Sequence, residues 1–155
     1  MAGIFPQGFE YVFASEEDVT ASEVLGAAWA CRGLTRGKIF ADATSEEATL
    51  WAPKVDLWVI TPPCPDYSRR NHKRSPEGVR DASSVLDRML GYARYQRPTT
   101  IVVENVDEPE ARAAITAALL SIGGYEWVTF GSDARAYGPM ARSRRFWVGT
   151  ASHGP

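Results

Sequence analysis

The chain has 155 residues, 45% of them apolar and 11% aromatic, which is the composition of one folded domain and excludes a disordered tail. Its formal net charge is −2, so a nucleic acid would have to bind at a local basic patch. The two cysteines, Cys31 and Cys64, lie far apart, which argues against a disulfide framework or a metal cluster and predicts a reducing, cytoplasmic setting. Neither a signal-peptide pattern nor an apolar run of membrane-spanning length is present.

Short apolar strands alternate with helices along the chain. In chain order, the predicted elements are a strand at 10–14, a helix at 18–31, a strand at 38–41, a brief helix from a Thr44/Glu47 capping box through Trp51, a strand at 56–60, a polar loop at 61–78, a helix around 85–93, a strand at 100–103, a helix begun by Asp107 and Pro109 and ended at Gly123, and strands at 125–130 and 146–150. These repeated units predict a three-layer, mainly parallel α/β sheet. Ligands of such sheets bind beyond the carboxyl ends of the strands.

A cysteine held between prolines follows the strand at 56–60. Residues 61–68 read TPPCPDYS, with Cys64 in the middle. Prolines restrict their own φ and the conformation of the preceding residue, so the thiol has a fixed position at the edge of the sheet. The basic residues that follow favour a thiolate and contact with phosphates. On this segment alone, a structural cysteine packed in a proline-rich turn stays open as the alternative.

Charged residues also mark two later strands. Glu104 follows the apolar run at 100–103, where an apolar pocket would raise its pKa and let the carboxyl group donate a proton. The alternative is an acid that caps the next helix. Arg142, Arg144 and Arg145 precede the last predicted strand, and such a run is commonly a solvated sheet edge.

Together, these segments resemble the motifs of the DNA (cytosine-5) methyltransferases. The resemblance rests on a proline-cysteine motif at 62–68, a Glu-Asn-Val motif at 104–106, and the two arginines of a Gln-x-Arg-x-Arg motif at Arg142 and Arg144. Residues 8–16 resemble the strand of this family that ends in the acid holding the cofactor ribose. Order and spacing agree over nearly the whole chain.

The resemblance implies a fold, a reaction and a set of site residues. The fold would be an incomplete Rossmann-like sheet of the S-adenosylmethionine-dependent methyltransferase type, in one catalytic domain at 1–155. Cys64 would attack C6 of a flipped cytosine in DNA, Glu104 would bind N3 and N4, and Arg144 with Arg142 would hold O2. The cytoplasmic enzyme would be of prokaryotic or phage type. The implied S-adenosylmethionine site comprises Gly3, Glu16, Asp42 and Pro63, and the implied DNA contacts are Ser68, Arg69, Arg70, Lys73 and Arg74, with no metal.

The sequence departs from the family pattern at several places. Pro65 and Met140 replace glutamines, and Phe5 and Pro6 stand where a Gly-rich cofactor loop belongs. A target-recognition region, a final helix and a central strand are not found in residues 1–155. We therefore expect either that the strand at 10–14 pairs beside the strand at 56–60, or that a second subunit or homo-oligomer partner supplies the missing strand and recognition region.

Three functions remain compatible with these residues. The first is a DNA (cytosine-5) methyltransferase core. The second is an inactive methyltransferase-like domain that binds DNA or a partner. The third is a cysteine enzyme that acts on free pyrimidine nucleotides.

Overall fold

The computed structural model describes residues 9–31, 38–64, 75–136, 138 and 142–152. Two compact units make up the chain, Met1–Pro53 and Lys54–Pro155. In the described part of the chain, no helix is long and apolar enough to cross a membrane. The elements are β1 Phe13–Ser15, α1 Val19–Cys31, β2 Lys38–Phe40, α2 Glu46–Thr49, β3 Leu57–Ile60, α3 Pro76–Met89, α4 Gly91–Gln96, β4 Thr100–Val106, α5 Pro109–Leu120, β5 Tyr125–Asp133 and β6 Ser143–Ala151.

The first unit contains a two-stranded parallel sheet. β1 pairs with β2 from Phe13 opposite Lys38 to Ser15 opposite Phe40. The rings of Phe13 and Phe40 pack edge to face at a centroid distance of 5.8 Å. Helix α1 begins where Asp18 Oδ1 accepts a hydrogen bond of 2.7 Å from the backbone N–H of Ala21, a standard N-terminal cap. The carboxyl ends of both strands therefore lie at the same edge of this sheet.

The second unit contains a four-stranded mixed sheet in the order β3-β4-β6-β5. β3 and β4 are parallel, and β6 runs antiparallel to both β4 and β5. One face is covered by α5, because Trp147 in β6 is 2% exposed and its Nε1 donates to Thr116 Oγ1 at 3.0 Å. Ile101 and Val103 of β4 are buried completely, each stabilising the fold by roughly 1.5–3 kcal/mol. This packing fixes the side-chain alternation of β4 and β6.

The strand pairing answers one expectation about the sheet. The expected α/β class is confirmed, with parallel pairing in β1-β2 and β3-β4. β1 pairs with β2, as either expectation about the first strand requires, so its place beside residues 56–60 stays a prediction. β1 also starts at Phe13, because its pairing covers only the residues opposite Lys38–Phe40.

The predicted start of α2 is wrong by one residue. Ser45, and not Thr44, is the N-cap, since its Oγ accepts a hydrogen bond of 3.2 Å from the backbone N–H of Ala48. Thr44 instead donates from its backbone N–H and its hydroxyl to Asp42 Oδ1, at 2.7 and 2.8 Å. The helix ends at Thr49 and does not reach Trp51.

Helix α3 begins inside the predicted polar loop. Ser75 is its N-cap and accepts a hydrogen bond of 3.0 Å from the backbone N–H of Gly78, and Pro76 occupies the first turn. Serine followed by proline is a common helix start, because proline has the φ of a helix and needs no hydrogen-bond acceptor at that position. The sequence thus carried a signal that the loop prediction overlooked.

We expect alkaline pH to weaken the second unit through Tyr92. Tyr92 is 1% exposed, and its ring centroid lies 4.9 Å from that of Trp58. Burial raises the pKa of Tyr92 to about 12, although a hydrogen bond with the Val55 backbone acts in the opposite direction. Between about pH 10 and pH 12 the unfolded chain loses this proton while the folded chain keeps it. The free energy of unfolding should therefore fall by roughly 2–3 kcal/mol over that interval. Urea denaturation as a function of pH measures this fall.

The matched variant for this measurement is Tyr92→Phe, which keeps the ring and lacks the phenol. Its stability should be lower at neutral pH by about 1 kcal/mol, because the hydrogen bond to Val55 is lost. The free energy of unfolding of this variant should fall correspondingly less between about pH 10 and pH 12. Equal declines in both proteins would contradict the prediction.

Candidate active site

Three segments singled out by the sequence meet at one end of the second unit's sheet. Because β3 and β4 are parallel, with Ile60 opposite Val103, their carboxyl ends lie at the same edge. β6 enters the sheet from this edge, with Arg144 opposite Val106. The residues that follow β3, the last residues of β4 and the first residues of β6 are therefore neighbours.

Glu104 and Arg144 form an ion pair at this end. Arg144 Nε lies 2.5 Å from Glu104 Oε1, and their side chains are 21% and 23% exposed. Glu104 is opposite Phe146, two residues from Arg144, so both side chains project from the same face as diagonal neighbours. The helix-capping alternative is wrong, because Glu104 lies within β4 and Glu108 is the N-cap of α5. The expected apolar surroundings are also wrong, since an arginine contacts the carboxylate.

The arginine run likewise belongs to a strand. β6 begins at Ser143, so Arg144 and Arg145 lie inside it and project from opposite faces. The expectation of an arginine segment before the strand, and of a simply solvated edge, is therefore wrong for these two residues. Both are only partly exposed.

Asn105 connects the acid-bearing strand to the cysteine segment. It is 1% exposed, its Nδ2 donates to the carbonyl oxygen of Pro62 at 3.0 Å, and its Oδ1 accepts from the backbone N–H of Val106 at 2.8 Å. A buried amide with both ends bonded holds its partners firmly, since an unmade bond would cost about 1–3 kcal/mol. The Glu-Asn-Val motif at 104–106 contains Asn105, but the sequence analysis predicted no role for it, although a polar residue inside an apolar strand was a usable signal.

Cys64 lies two residues beyond the carbonyl that Asn105 binds. The cysteine is a free thiol of intermediate exposure, and Pro62 before it is buried whereas Pro63 is exposed. A cysteine of intermediate exposure on an anchored segment can be reached by a reactant. The reactive role of Cys64 stays a prediction.

Arg142 occupies the entrance to β6 and differs from Arg144. Its side chain is exposed, and its backbone N–H donates to Asp133 Oδ1 at 3.4 Å. The Asp133 carboxylate also accepts from Arg135 Nη2 at 2.8 Å and Ser143 Oγ at 3.0 Å. The hydrogen bond from the Arg135 side chain, ahead of the other causes, holds the pKa of Asp133 well below its usual range. Asp133 thus fixes the backbone from which Arg142 projects.

Comparison with known proteins decides the family. Residues 2–153 match the family described as C-5 cytosine-specific DNA methylase. The chain belongs to this family. No curated protein sequence matches it. Membership of this family accounts for the order of the motifs along the chain, and methyl transfer is the chemistry of that family.

Solved methyltransferase structures share the fold of this chain. A protein described as a DNA modification methyltransferase encoded within a prophage (E. coli) aligns with a TM-score of 0.66 and 18% identity, over 93% of this chain and 41% of its own. S. pombe Dnmt2 aligns with a TM-score of 0.59 and 18% identity, over 94% and 43%. Entamoeba histolytica EhMeth aligns with a TM-score of 0.59 and 14% identity, over 89% and 44%. At such identities the likeness shows the fold, and this chain spans less than half of each neighbour.

The residues expected to bind a cofactor are divided between the two units of the chain. Glu16 and Asp42 follow the neighbouring strands β1 and β2 of the first unit, and Glu16 N–H donates to the Phe40 carbonyl at 2.9 Å. Glu16 Oε1 accepts from the backbone N–H of Asp18 at 2.9 Å. Pro63 belongs to the second unit. Gly3 and the expected DNA contacts Ser68, Arg69, Arg70, Lys73 and Arg74 lie outside the described residues.

Proposed function

We propose that this chain is the catalytic core of a DNA (cytosine-5) methyltransferase, which transfers a methyl group from S-adenosylmethionine to C5 of cytosine in DNA. The observation that carries the proposal is the junction at the sheet end. There, Asn105 Nδ2 donates to the carbonyl oxygen of Pro62, two residues before Cys64, at 3.0 Å, and Glu104 pairs with Arg144 at 2.5 Å. A nucleophile, an acid and a cation on linked strands are the groups this reaction needs.

Cys64 would act as the nucleophile. Cytosine C5 is a poor nucleophile until a thiolate adds at C6, which leaves an electron-rich enamine at C5. The sulfur must approach C6 from one face of the ring at a fixed distance. The Asn105 bond to Pro62, two residues before the thiol, supports such a fixed approach.

Glu104 and Arg144 would hold the polar edge of the base. A carboxyl group can bind N4 and pass a proton to N3, while a guanidinium group can hold O2 and stabilise charge that develops on the ring. Arginine has five N–H donors, so Nε can orient Glu104 while another donor binds O2. The ion pair therefore orders both side chains before the base arrives. A base in a duplex must be flipped out of the stack to reach them.

The first unit carries groups that fit part of the cofactor. Glu16 and Asp42 stand at the carboxyl ends of adjacent parallel strands, the usual ligand edge of such sheets. A carboxylate accepts several hydrogen bonds, so each can still bind beyond its local donor, Glu16 a pair of ribose hydroxyls and Asp42 an adenine amine. When bound, S-adenosylmethionine supplies an electrophilic methyl group.

DNA and a second protein are the proposed partners. The described strands form two separate sheets, β1-β2 and β3-β4-β6-β5. A second subunit or a homo-oligomer partner would supply a strand that pairs with an open sheet edge. Unpaired strand edges are a usual place for such strand addition.

Product analysis tests the proposed function. Protein incubated with S-adenosylmethionine labelled in the methyl group and with duplex DNA should yield 5-methylcytosine after hydrolysis of the DNA. Label found only on added free cytidine nucleotides would favour the cysteine enzyme of nucleotide metabolism. Absence of label in both substrates, with DNA still bound, would indicate the inactive binding domain.

A further inference from the structure

Two consecutive arginines of β6 pair with acids on opposite faces of the sheet. Arg144 pairs with Glu104, as described above. Arg145 forms a two-pronged ion pair with Asp107, the first residue after β4, with Nε 3.1 Å from Oδ1 and Nη2 3.2 Å from Oδ2. The side chains of Arg145 and Asp107 are 18% and 22% exposed. Ion pairs on both faces of the sheet thus connect the end of β4 to β6.

The surroundings of the Asp107–Arg145 pair are closely fitted. Gly131 in β5 lies opposite Arg145, and a Cβ at Gly131 would lie 3.2 Å from Asp107 Oδ2 and 3.5 Å from Arg145 Nη2. A side chain there would push against the pair. Arg112 of α5 approaches the same carboxylate, with Nε 3.6 Å from Asp107 Oδ1. Three strands and a helix therefore converge on one carboxylate.

We propose that Asp107 and Arg145 are positioning residues that set the geometry of the Glu104–Arg144 pair. Arg145 is bonded through the backbone to Arg144 and lies opposite Asn105, which follows Glu104. A bidentate guanidinium–carboxylate pair fixes direction as well as distance, because its two parallel bonds resist rotation. Holding Arg145 on one face therefore limits how far Arg144 moves on the other.

The same anchoring extends to the cysteine segment. Asn105 lies on the face of Arg145, and its Nδ2 binds the Pro62 carbonyl. Movement of the β4 end would displace both Glu104 and the support of Cys64. The effect of Asp107 and Arg145 on catalysis rests on the proposed function. Their effect on the Glu104–Arg144 pair can be measured without turnover.

An ordinary surface ion pair is the competing interpretation. Exposed pairs contribute little, because water and salt screen them and two long side chains lose freedom. The Asp87–Arg94 pair illustrates that class, with side chains 62% and 37% exposed. The lower exposure and two-pronged geometry of Asp107–Arg145 favour a positioning role.

Hydrogen exchange at the arginine Nε–H groups tests the proposal by NMR. In wild-type protein the Arg144 Nε–H should exchange slowly, because the ion pair with Glu104 restrains the guanidinium group. Asp107→Asn and Arg145→Lys each remove the two-pronged charged pair. Either variant should raise the exchange rate of the Arg144 Nε–H by about tenfold or more, and a tenfold change corresponds to about 1.4 kcal/mol. Tyr92→Phe, a destabilising change at a site unrelated to catalysis, should leave it unchanged.

The outcomes separate this proposal from the proposed function. Unchanged Arg144 exchange in both variants would overturn the positioning role, as would an equal increase in Tyr92→Phe. If Asp107→Asn fails to fold, Arg145→Lys decides by the same criterion. Where turnover is present, both variants should slow the chemical step without weakening DNA binding. A wild-type protein that never methylates would overturn the function and leave the exchange result standing.

Discussion

A DNA duplex carrying 5-fluorocytosine should become covalently joined to Cys64 of the wild-type protein in the presence of S-adenosylmethionine, and Cys64→Ser should give no adduct. The fluorine at C5 replaces the proton that must leave after methyl transfer, so the sulfur–C6 bond persists. Serine is far less ionised than cysteine and a weaker nucleophile, so the rate should fall by about four powers of ten or more. Denaturing electrophoresis measures the adduct, and peptide mapping locates it.

The control for this experiment is the other cysteine. Cys31→Ser should form the adduct at the wild-type rate, because the proposed reaction uses Cys64 alone. Should an adduct persist in Cys64→Ser protein, or disappear in Cys31→Ser protein, the cysteine assigned as nucleophile would be the wrong one.

Glu104→Gln and Arg144→Gln should each slow adduct formation by about 100-fold or more, while the protein remains folded. Loss of a positioned acid, or of a cation that stabilises developing charge, has effects of this size. The 2.5 Å contact also makes the two residues interdependent. The double variant should therefore be faster than the product of the two single effects predicts, which single-turnover rates of all four proteins measure.

A carboxylate elsewhere in the same four-stranded sheet provides the control for Glu104→Gln. Glu126 lies in β5, opposite Thr150, and is exposed. Glu126→Gln makes the same chemical change as Glu104→Gln at a position away from the ion pair, and its rate should equal that of wild type. A full wild-type rate in Glu104→Gln would remove Glu104 from the mechanism, and strict additivity would show that its contact with Arg144 is incidental.

Local sequence patterns predicted the elements well where residues close together in the sequence determine the structure. Asp18 caps α1, and the apolar runs around Trp58 and Ile101 form β3 and β4, because burial of neighbouring residues determines such elements. The candidate segments after β3, at the end of β4 and at the start of β6 were also foreseen. Motif order pointed to these segments, and the antiparallel β4–β6 pairing brings the second and third together.

The missed features depend on partners distant in the sequence. β4 continues through Val106 because β6 pairs with its last residues, and β5 continues to Asp133 for the same reason. Asp107 was expected to start a helix, yet its carboxylate binds Arg145, 38 residues away. Asn105 likewise binds Pro62, 43 residues away. No local propensity encodes a partner at such a separation.

The position of β6 between β4 and β5 has a consequence for how the second unit folds. β5 is made before β6 on the ribosome, yet in the described sheet its partner is β6. β5 must therefore wait, unpaired, until the later strand emerges and inserts beside β4. The pairing of β6 with β4, which joins residues as distant in sequence as Val106 and Arg144, is slow to form, since loop closure precedes any gain from pairing. The ion pairs of Arg144 and Arg145 consequently arise in one late step of assembly.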